Sequence, residues 1–319
     1  MTSPLVSIVV PALNEQDNLE PLYGAIRAVF EQSCPDADFE LIVVNDGSTD
    51  DTAAVLEELA TRDPRVRALH FARNFGQQPA LIAGLEAAEG NVVITMDADL
   101  EQPPAVVARM IELWKSGFQV VHGVRRDHPQ TPFFKRWTSR MFYRVFSFLS
   151  RIPMEPGMLD FRLMDRQVVD AVCALPEADF FLRGIANWVG FRQTRLPYDS
   201  DRRTRGRSRY SLSRMVSFAL RGLTSFSVFP LRLATYLGAL MTMFTLIYGI
   251  HVAVAWFFWE DPTPGYASIV LLISLLFGVQ FLLIGLLGEY VARIHVEVKR
   301  RPRYIVAART DRRPPSATP

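Results

Sequence analysis

The first half of the chain alternates short β-branched apolar runs with stretches in which apolar positions recur every three or four residues. Residues 5–10 read as a strand, Pro11-Ala12-Leu13-Asn14-Glu15 as its exit loop, and Leu19, Leu22, Ile26 and Val29 mark one face of a helix reaching about residue 30. A second strand at 39–44 ends in Asn45-Asp46-Gly47-Ser48-Thr49-Asp50, where Thr49 or Asp50 can cap the helix that carries Val55, Leu56 and Leu59. A third strand at 66–71 is followed by Arg73-Asn74-Phe75-Gly76 and a helix with Leu81, Ile82 and Leu85. The run at 92–96 ends in Asp97-Ala98-Asp99, and a helix at 106–114 and a strand at 119–124 come next. Strands that alternate with helices in this way predict an α/β fold, with a parallel sheet wrapped on both faces. A later strand at 158–165 carries Asp160 and Arg162 on one side.

Beyond residue 125 the pattern changes. Residues 133–144 predict a basic amphipathic helix, with Arg136, Arg140 and Arg144 on one face and Trp137 and Met141 on another. A second spans 211–232, with Arg214 and Arg221 on its basic face and Pro230 breaking it. Two stretches of 27 residues, 233–259 and 262–288, contain no Asp, Glu, Lys or Arg, and about 20 apolar residues suffice to span a bilayer. Basic residues flank this pair on both outer sides, Arg232 before it and Arg293, Lys299, Arg300, Arg301 and Arg303 after it, and none lies in the link. The positive-inside rule therefore predicts an integral protein of the inner (cytoplasmic) membrane with two spans, about 233–259 and 266–289, and both termini cytoplasmic. The expected division is a cytoplasmic α/β domain over 1–210, a juxtamembrane helix over 211–232, a hairpin over 233–292 and a basic tail over 293–319, disordered from about residue 309.

Charge sharpens this picture. Residues 1–124 hold 7 Lys and Arg against 19 Asp and Glu, residues 125–319 hold 28 against 14, and local charges of −12 and +14 leave a net +2. An acidic front and a basic rear point to an anionic partner surface. No nucleic-acid motif accompanies the charge, so the lipid bilayer is the expected partner and nucleic acid is not. Cys34 and Cys173 form no Cys-x-x-Cys pair, which fits a reducing compartment. The run at 6–10 follows no basic segment and precedes acidic residues, so it reads as a strand rather than a signal peptide. No Gly-x-Gly-x-x-Gly follows the first strand, which argues against a dinucleotide enzyme.

The candidate chemistry centres on Asp97 and Asp99. Two carboxylates at a strand's carboxyl end lie where α/β sheets bind ligands, and hard oxygen donors suit Mg²⁺ or Mn²⁺. The alternative is that they cap the next helix. Asp46, at another strand end beside Gly47, reads either as a ribose-binding acid or as an Asx-turn, and Asn14 and Glu15 carry the same ambiguity.

In order along the chain, Pro11-Ala12-Leu13-Asn14-Glu15, Asn45-Asp46-Gly47-Ser48, Arg73-Asn74-Phe75-Gly76, Met96-Asp97-Ala98-Asp99, Gly123-Val124-Arg125-Arg126, Asp160-Phe161-Arg162-Leu163-Met164-Asp165, Ser208-Arg209-Tyr210 and Gly288-Glu289-Tyr290 resemble the polyprenyl-phosphate glycosyltransferases. These form the membrane branch of the family 2 inverting glycosyltransferases, with dolichol-phosphate mannose synthases and bactoprenol glucosyltransferases among them. The resemblance implies a GT-A fold, a nucleotide-sugar donor, a polyprenyl phosphate acceptor, a divalent cation and a homo-oligomer. It assigns Pro11, Asn14, Glu15, Asp46 and Arg125 to the nucleotide sugar, and Asp97 and Asp99 to the metal. It gives Arg136 and Ser139 to the acceptor phosphate and sets Asp160, with Asp97 and Asp99, among the catalytic carboxylates. UDP-glucose and undecaprenyl phosphate are the expected substrates, with other UDP-sugars or GDP-mannose as alternative donors. The chain departs from the family in placing Glu101 before Gln102 after Asp-Ala-Asp-Leu, and Leu159 directly before Asp160. No Gln-x-x-Arg-Trp signature of the processive synthases is present. The competing readings are a non-catalytic nucleotide-sugar sensor and a nucleotidyltransferase.

Overall fold

The computed structural model describes residues 3–126, 141, 157–177, 182–199, 229–258 and 265–310. The chain divides into two units: residues 1–148, 152–210 and 302–319 form one, and residues 149–151 and 211–301 the other. Arg136, Ser139, Ser208-Arg209-Tyr210 and the basic helices expected at 133–144 and 211–232 lie outside the described residues, apart from Met141 and residues 229–232.

The first unit is built on β1 (Leu5–Ala12), α1 (Gln16–Ser33), β2 (Asp38–Asn45), α2 (Thr52–Arg62), β3 (Val66–Phe71), α3 (Gln77–Ala87), β4 (Val92–Thr95), α4 (Ala105–Lys115) and β5 (Val120–Arg125). Then come β6 (Met158–Asp165), α5 (Arg166–Cys173), α6 (Leu182–Trp188) and β7 (Gln193–Tyr198). The apolar runs became fully buried strands: Val6, Ile8, Val9, Val10, Leu41 to Val44 and Val92 to Ile94 are closed to solvent. Leu19, Leu22 and Ile26 of α1 bury the predicted face. The N-cap of α2 is Asp51, with no side-chain cap bond, rather than Thr49 or Asp50; Asp50 Oδ1 accepts from the Thr52 N–H at 3.1 Å just ahead of the helix.

The eight strands lie in the order β7-β5-β6-β4-β1-β2-β3-β8, with β8 spanning Val306–Arg309. Strands β3, β2, β1 and β4 are mutually parallel, as are β5 and β7, which matches the expected α/β sheet. Two further strands run the other way and leave the sheet mostly parallel, as a GT-A fold implies. β6 runs antiparallel between β4 and β5, and β8 runs antiparallel on the outer edge of β3.

β8 also corrects the expected tail. Arg309 closes the strand opposite Leu69, and the Thr310 hydroxyl accepts from the Ala68 N–H at 2.8 Å. The free edge of β3 offers this segment a partner more than two hundred residues back in the chain, which no local pattern reveals.

The second unit contains α7 (Phe229–Phe258) and α8 (Tyr266–Val298). Pro230 is helical within α7, and whether it breaks the helix expected at 211–232 lies outside the described residues. The apolar windows are Ala234–His251 and Leu275–Val298, with mean hydropathies of 1.2 and 1.9. Leu240, Ile247, Phe281 and Ile284 all face outward, as side chains do when lipid rather than protein is their solvent. α8 runs nine residues past the expected end of the second span, carrying Glu289, Arg293 and Glu297 on its polar end.

Candidate active site

Because β1 to β5 and β7 point the same way, their carboxyl ends share one edge of the sheet. The antiparallel β6 brings its amino end to that edge. Register pairs Thr95 with Arg162, the Thr95 hydroxyl donates to the Asp160 carbonyl, and the Asp97 and Asp160 carboxylates lie close enough for their charges to interact. A parallel β6 would have carried Asp160 to the opposite edge.

The loops at this edge are tied to one another. The Asn14 side chain, on a residue with φ of 58°, accepts from the Thr49 N–H at 2.8 Å, and the Asn14 N–H donates to the Ser48 hydroxyl at 2.9 Å. The Glu15 N–H donates to Thr52 at 3.0 Å. Pro11 sits opposite Val44 in the β1–β2 ladder, just below these turns. Asp46 is buried and accepts from the Phe75 N–H at 2.7 Å and the Gly76 N–H at 2.9 Å. Asp46 thus holds the β3–α3 loop and not a local Asx-turn. Burial keeps the Asp46 carboxyl above its usual range despite both amides and Arg73. Gly47 has φ of 70° and lies against the same loop: a Cβ there would meet the Arg73 carbonyl carbon at 2.5 Å and the Asn74 nitrogen at 2.6 Å. Only glycine fits that approach.

The start of α3 links this cluster to the acidic one. Gln77 donates to Asp97 Oδ1 at 2.8 Å, and Gln78 donates to Asp160 at 3.4 Å while its carbonyl oxygen accepts from the Leu182 N–H at 2.9 Å. Gln102, fully buried, holds Asp97 from the other side, donating to Oδ2 at 2.7 Å and accepting from the Asp97 N–H at 2.9 Å. Burial and the charges of Asp160 and Asp99 push the Asp97 carboxyl up to about 7. Asp99 accepts from the Glu101 N–H at 3.1 Å. Arg125 pairs with Glu101 at 3.0 Å, so the carboxylate that departs from the family pattern is matched by the arginine expected on the nucleotide side.

Asp160 is buried between two guanidinium groups. Arg183 binds it through two bonds, of 3.1 and 2.9 Å, and Arg162 approaches at 3.4 Å. Burial works to raise this carboxyl, but Arg183 and Arg162 outweigh it and hold it below its usual range. The Tyr198 hydroxyl, buried, has no hydrogen-bond partner among the described residues. Burial, followed by the charges of Asp97 and Asp99, pushes it up to about 12.

Sequence patterns missed Gln77, Gln78, Arg183 and Tyr198. Gln77, Gln78 and Arg183 each act through a partner at least twenty residues away, Tyr198 comes to the site on another strand, and none belongs to a short motif.

The Asp97 and Asp99 oxygens suit a divalent cation, because two crowded carboxylates with a carboxyl raised to about 7 create a charge deficit that a cation would fill. Among the described residues no three His, Cys, Asp or Glu side chains converge as a metal cluster. The rest of such a shell would fall to ligand phosphate oxygens and water, the usual habit of Mg²⁺.

The model of the family described as Glycosyl transferase family 2 matches residues 7–173. The chain belongs to this family. As a family 2 glycosyltransferase it places its carboxylate site on a GT-A sheet, and residues 229–294 match a second model, the GtrB C-terminal hairpin. A glycosyltransferase of Bacillus subtilis (strain 168), YkcC, is 41% identical over 300 residues, covering 94% of this chain and 92% of that protein. A bactoprenol glucosyl transferase of Shigella phage SfX is 39% identical over 304 residues, covering 95% and 99%. Among solved structures, the mannosyl-3-phosphoglycerate synthase of Rubrobacter xylanophilus is 18% identical with a TM-score of 0.49, covering 70% of this chain and 73% of that one.

Proposed function

We propose that this glycosyltransferase moves a hexosyl group from a nucleotide sugar, UDP-glucose, to undecaprenyl phosphate at the cytoplasmic face of the inner membrane, with inversion at the anomeric carbon. The observation that carries this reading is the end-to-end match to a bactoprenol glucosyl transferase. It joins the carboxylate site to two helices long and apolar enough to cross a bilayer.

The chemistry follows from charge. A lipid phosphate is already anionic near neutral pH, so its oxygen attacks the anomeric carbon with little need of a general base. The bond to the donor's diphosphate breaks, and UDP leaves with the electron pair. Asp97 and Asp99 would hold a divalent cation, which would supply positive charge at the donor's diphosphate. Gln77 and Gln102 hold Asp97 in one orientation, and the Asn14, Glu15 and Asp46 loops shape the nucleoside side. Asp160, ionised and doubly paired, holds Arg183 at the acidic edge rather than abstracting a proton. Arg125 provides a second positive group beside the nucleotide, and Arg136 and Ser139 receive the acceptor phosphate.

The test uses purified protein in detergent with undecaprenyl phosphate, Mn²⁺ and a panel of labelled nucleotide sugars. Label from UDP-glucose is expected in the organic phase, abolished by EDTA and reduced by at least about 100-fold in Asp99→Ala. Labelling from GDP-mannose or another UDP-sugar alone would replace the donor. No labelling from any donor, with nucleotide binding intact, would favour a sensor.

A further inference from the structure

The segment that follows the hairpin lies beyond the residues matched by either family model, yet it joins the catalytic sheet at the element that leads into the donor site. Arg303 fastens its start, donating to the Glu177 carbonyl at 2.9 Å and to the Leu175 carbonyl, and pairing with Glu86 of α3 at 3.8 Å. The Tyr304 ring stacks on Phe71, the last residue of β3, at 5.0 Å and 13°, and its hydroxyl bonds Glu86. The Ala72 N–H donates to the Ile305 carbonyl at 3.0 Å. From there the contacts run straight to the site. Phe71 meets Phe75 edge to face at 5.6 Å, Arg73 lies over the Phe75 ring at 4.1 Å, and the Phe75 and Gly76 amides bind Asp46. Gln77, next in the chain, binds Asp97. After a register shift between His70 and Phe71 the ladder continues with Phe71 opposite Val306, which brings Tyr304 against the end of β3.

We propose that residues 302–310 form part of the donor site, with Tyr304 a positioning residue for loop 72–77. Tyr304 touches neither substrate. It sets the plane of Phe71, which seats Phe75, so that the two backbone amides reach Asp46 and Gln77 reaches Asp97. The chain leaving the second apolar helix is thereby wired to the nucleotide side of the catalytic unit. This rests on the reading of the Asp46 loop as the nucleoside side of the site.

Two readouts on the full-length protein in detergent separate this inference from that reading. Hydrogen exchange over peptides covering 72–77 requires no donor, and it is expected to be faster in Tyr304→Met than in wild type. In the transfer assay Tyr304→Met is expected to raise the KM for the nucleotide sugar about tenfold, the scale of a lost aromatic pair, with kcat and the lipid KM nearly unchanged. Tyr304→Phe, which keeps the ring and loses only the hydroxyl, should restore both. Unchanged exchange, or a uniform fall in kcat and both KM values with thermal stability, would overturn the proposal. If Tyr304→Met does not fold, the milder Tyr304→His must show the same exchange and donor-KM pattern, and its absence there would equally overturn it. If wild type turns over no donor, the enzymatic reading fails while exchange still reports on the loop.

Discussion

At the scale of residues, the site works by pairing charges that would otherwise be intolerable where they lie. Asp160 stays ionised in a buried position because Arg162 and Arg183 face it, and removing one partner of such a group is far more costly than the pair's net worth. Arg162 in turn helps to keep a neighbour neutral. His122, buried on β5, is lowered to about 4 by burial first and then by Arg162, with Arg195 of β7 acting in the same sense. The Gln193 amide donates to the Ala186 carbonyl at 3.0 Å, so its oxygen faces His122 and the imidazole carries its proton on Nε2. The folded-state pKa lies below the ordinary value of 6.5, so the unfolded chain takes up the proton first as pH falls. The stabilisation is complete above about pH 6.5, lost progressively towards pH 4, and worth about 3 kcal/mol. Thermal melts should show wild type losing Tm relative to His122→Gln between pH 7 and 4. Parallel pH profiles for the two proteins would contradict this. The Asp-x-Asp pair was legible in the sequence because two carboxylates at a strand end form a short local pattern. Arg183 was not, since its partner lies on another element and only the folded register brings them together.

Among elements, legibility followed the range of the interaction that fixes each one. β1 to β5 and α1 to α4 are decided by local periodicity, and their predicted bounds shifted by only a few residues. β6 is legible as a strand, but the local pattern carries no direction for it, because direction depends on a long connection and on the gap between β4 and β5. That direction is what places Asp160 at the catalytic edge. β8 was missed, four residues being too short to show a period. The β2–α2 turn shows the opposite case, a local feature with a long-range purpose. Asn45-Asp46-Gly47-Ser48 looks like a turn, and the turn's glycine is required by a loop from another element. Gly47→Ala should destabilise the fold by about 2 kcal/mol, combining left-handed strain with a backbone collision. Because the displaced loop carries the Asp46 partners, nucleotide affinity should fall with it. A melt within a degree of wild type and an unchanged nucleotide Kd would refute that assignment.

For the whole molecule, the sheet constrains how the chain meets the membrane. β1 to β7 precede the hairpin and β8 follows it, yet all eight strands share one sheet. If α7 and α8 both cross the bilayer, the two flanks of the hairpin must emerge on the same side, and we propose from the basic residues at 293–303 that this side is the cytoplasm. In a background without Cys34 and Cys173, Thr263→Cys in the link should react with an impermeant maleimide on intact cells. Arg301→Cys should react only after permeabilisation, and labelling of both from one side would refute a spanning hairpin. The central claim is that this assembly transfers a sugar to a lipid phosphate. It is tested most directly by measuring, in one reaction, UDP release and lipid-linked sugar, with and without undecaprenyl phosphate. Equal molar amounts of the two, with UDP release dependent on the lipid phosphate, are the predicted result. UDP release that ignores the lipid, or pyrophosphate in its place, would contradict it.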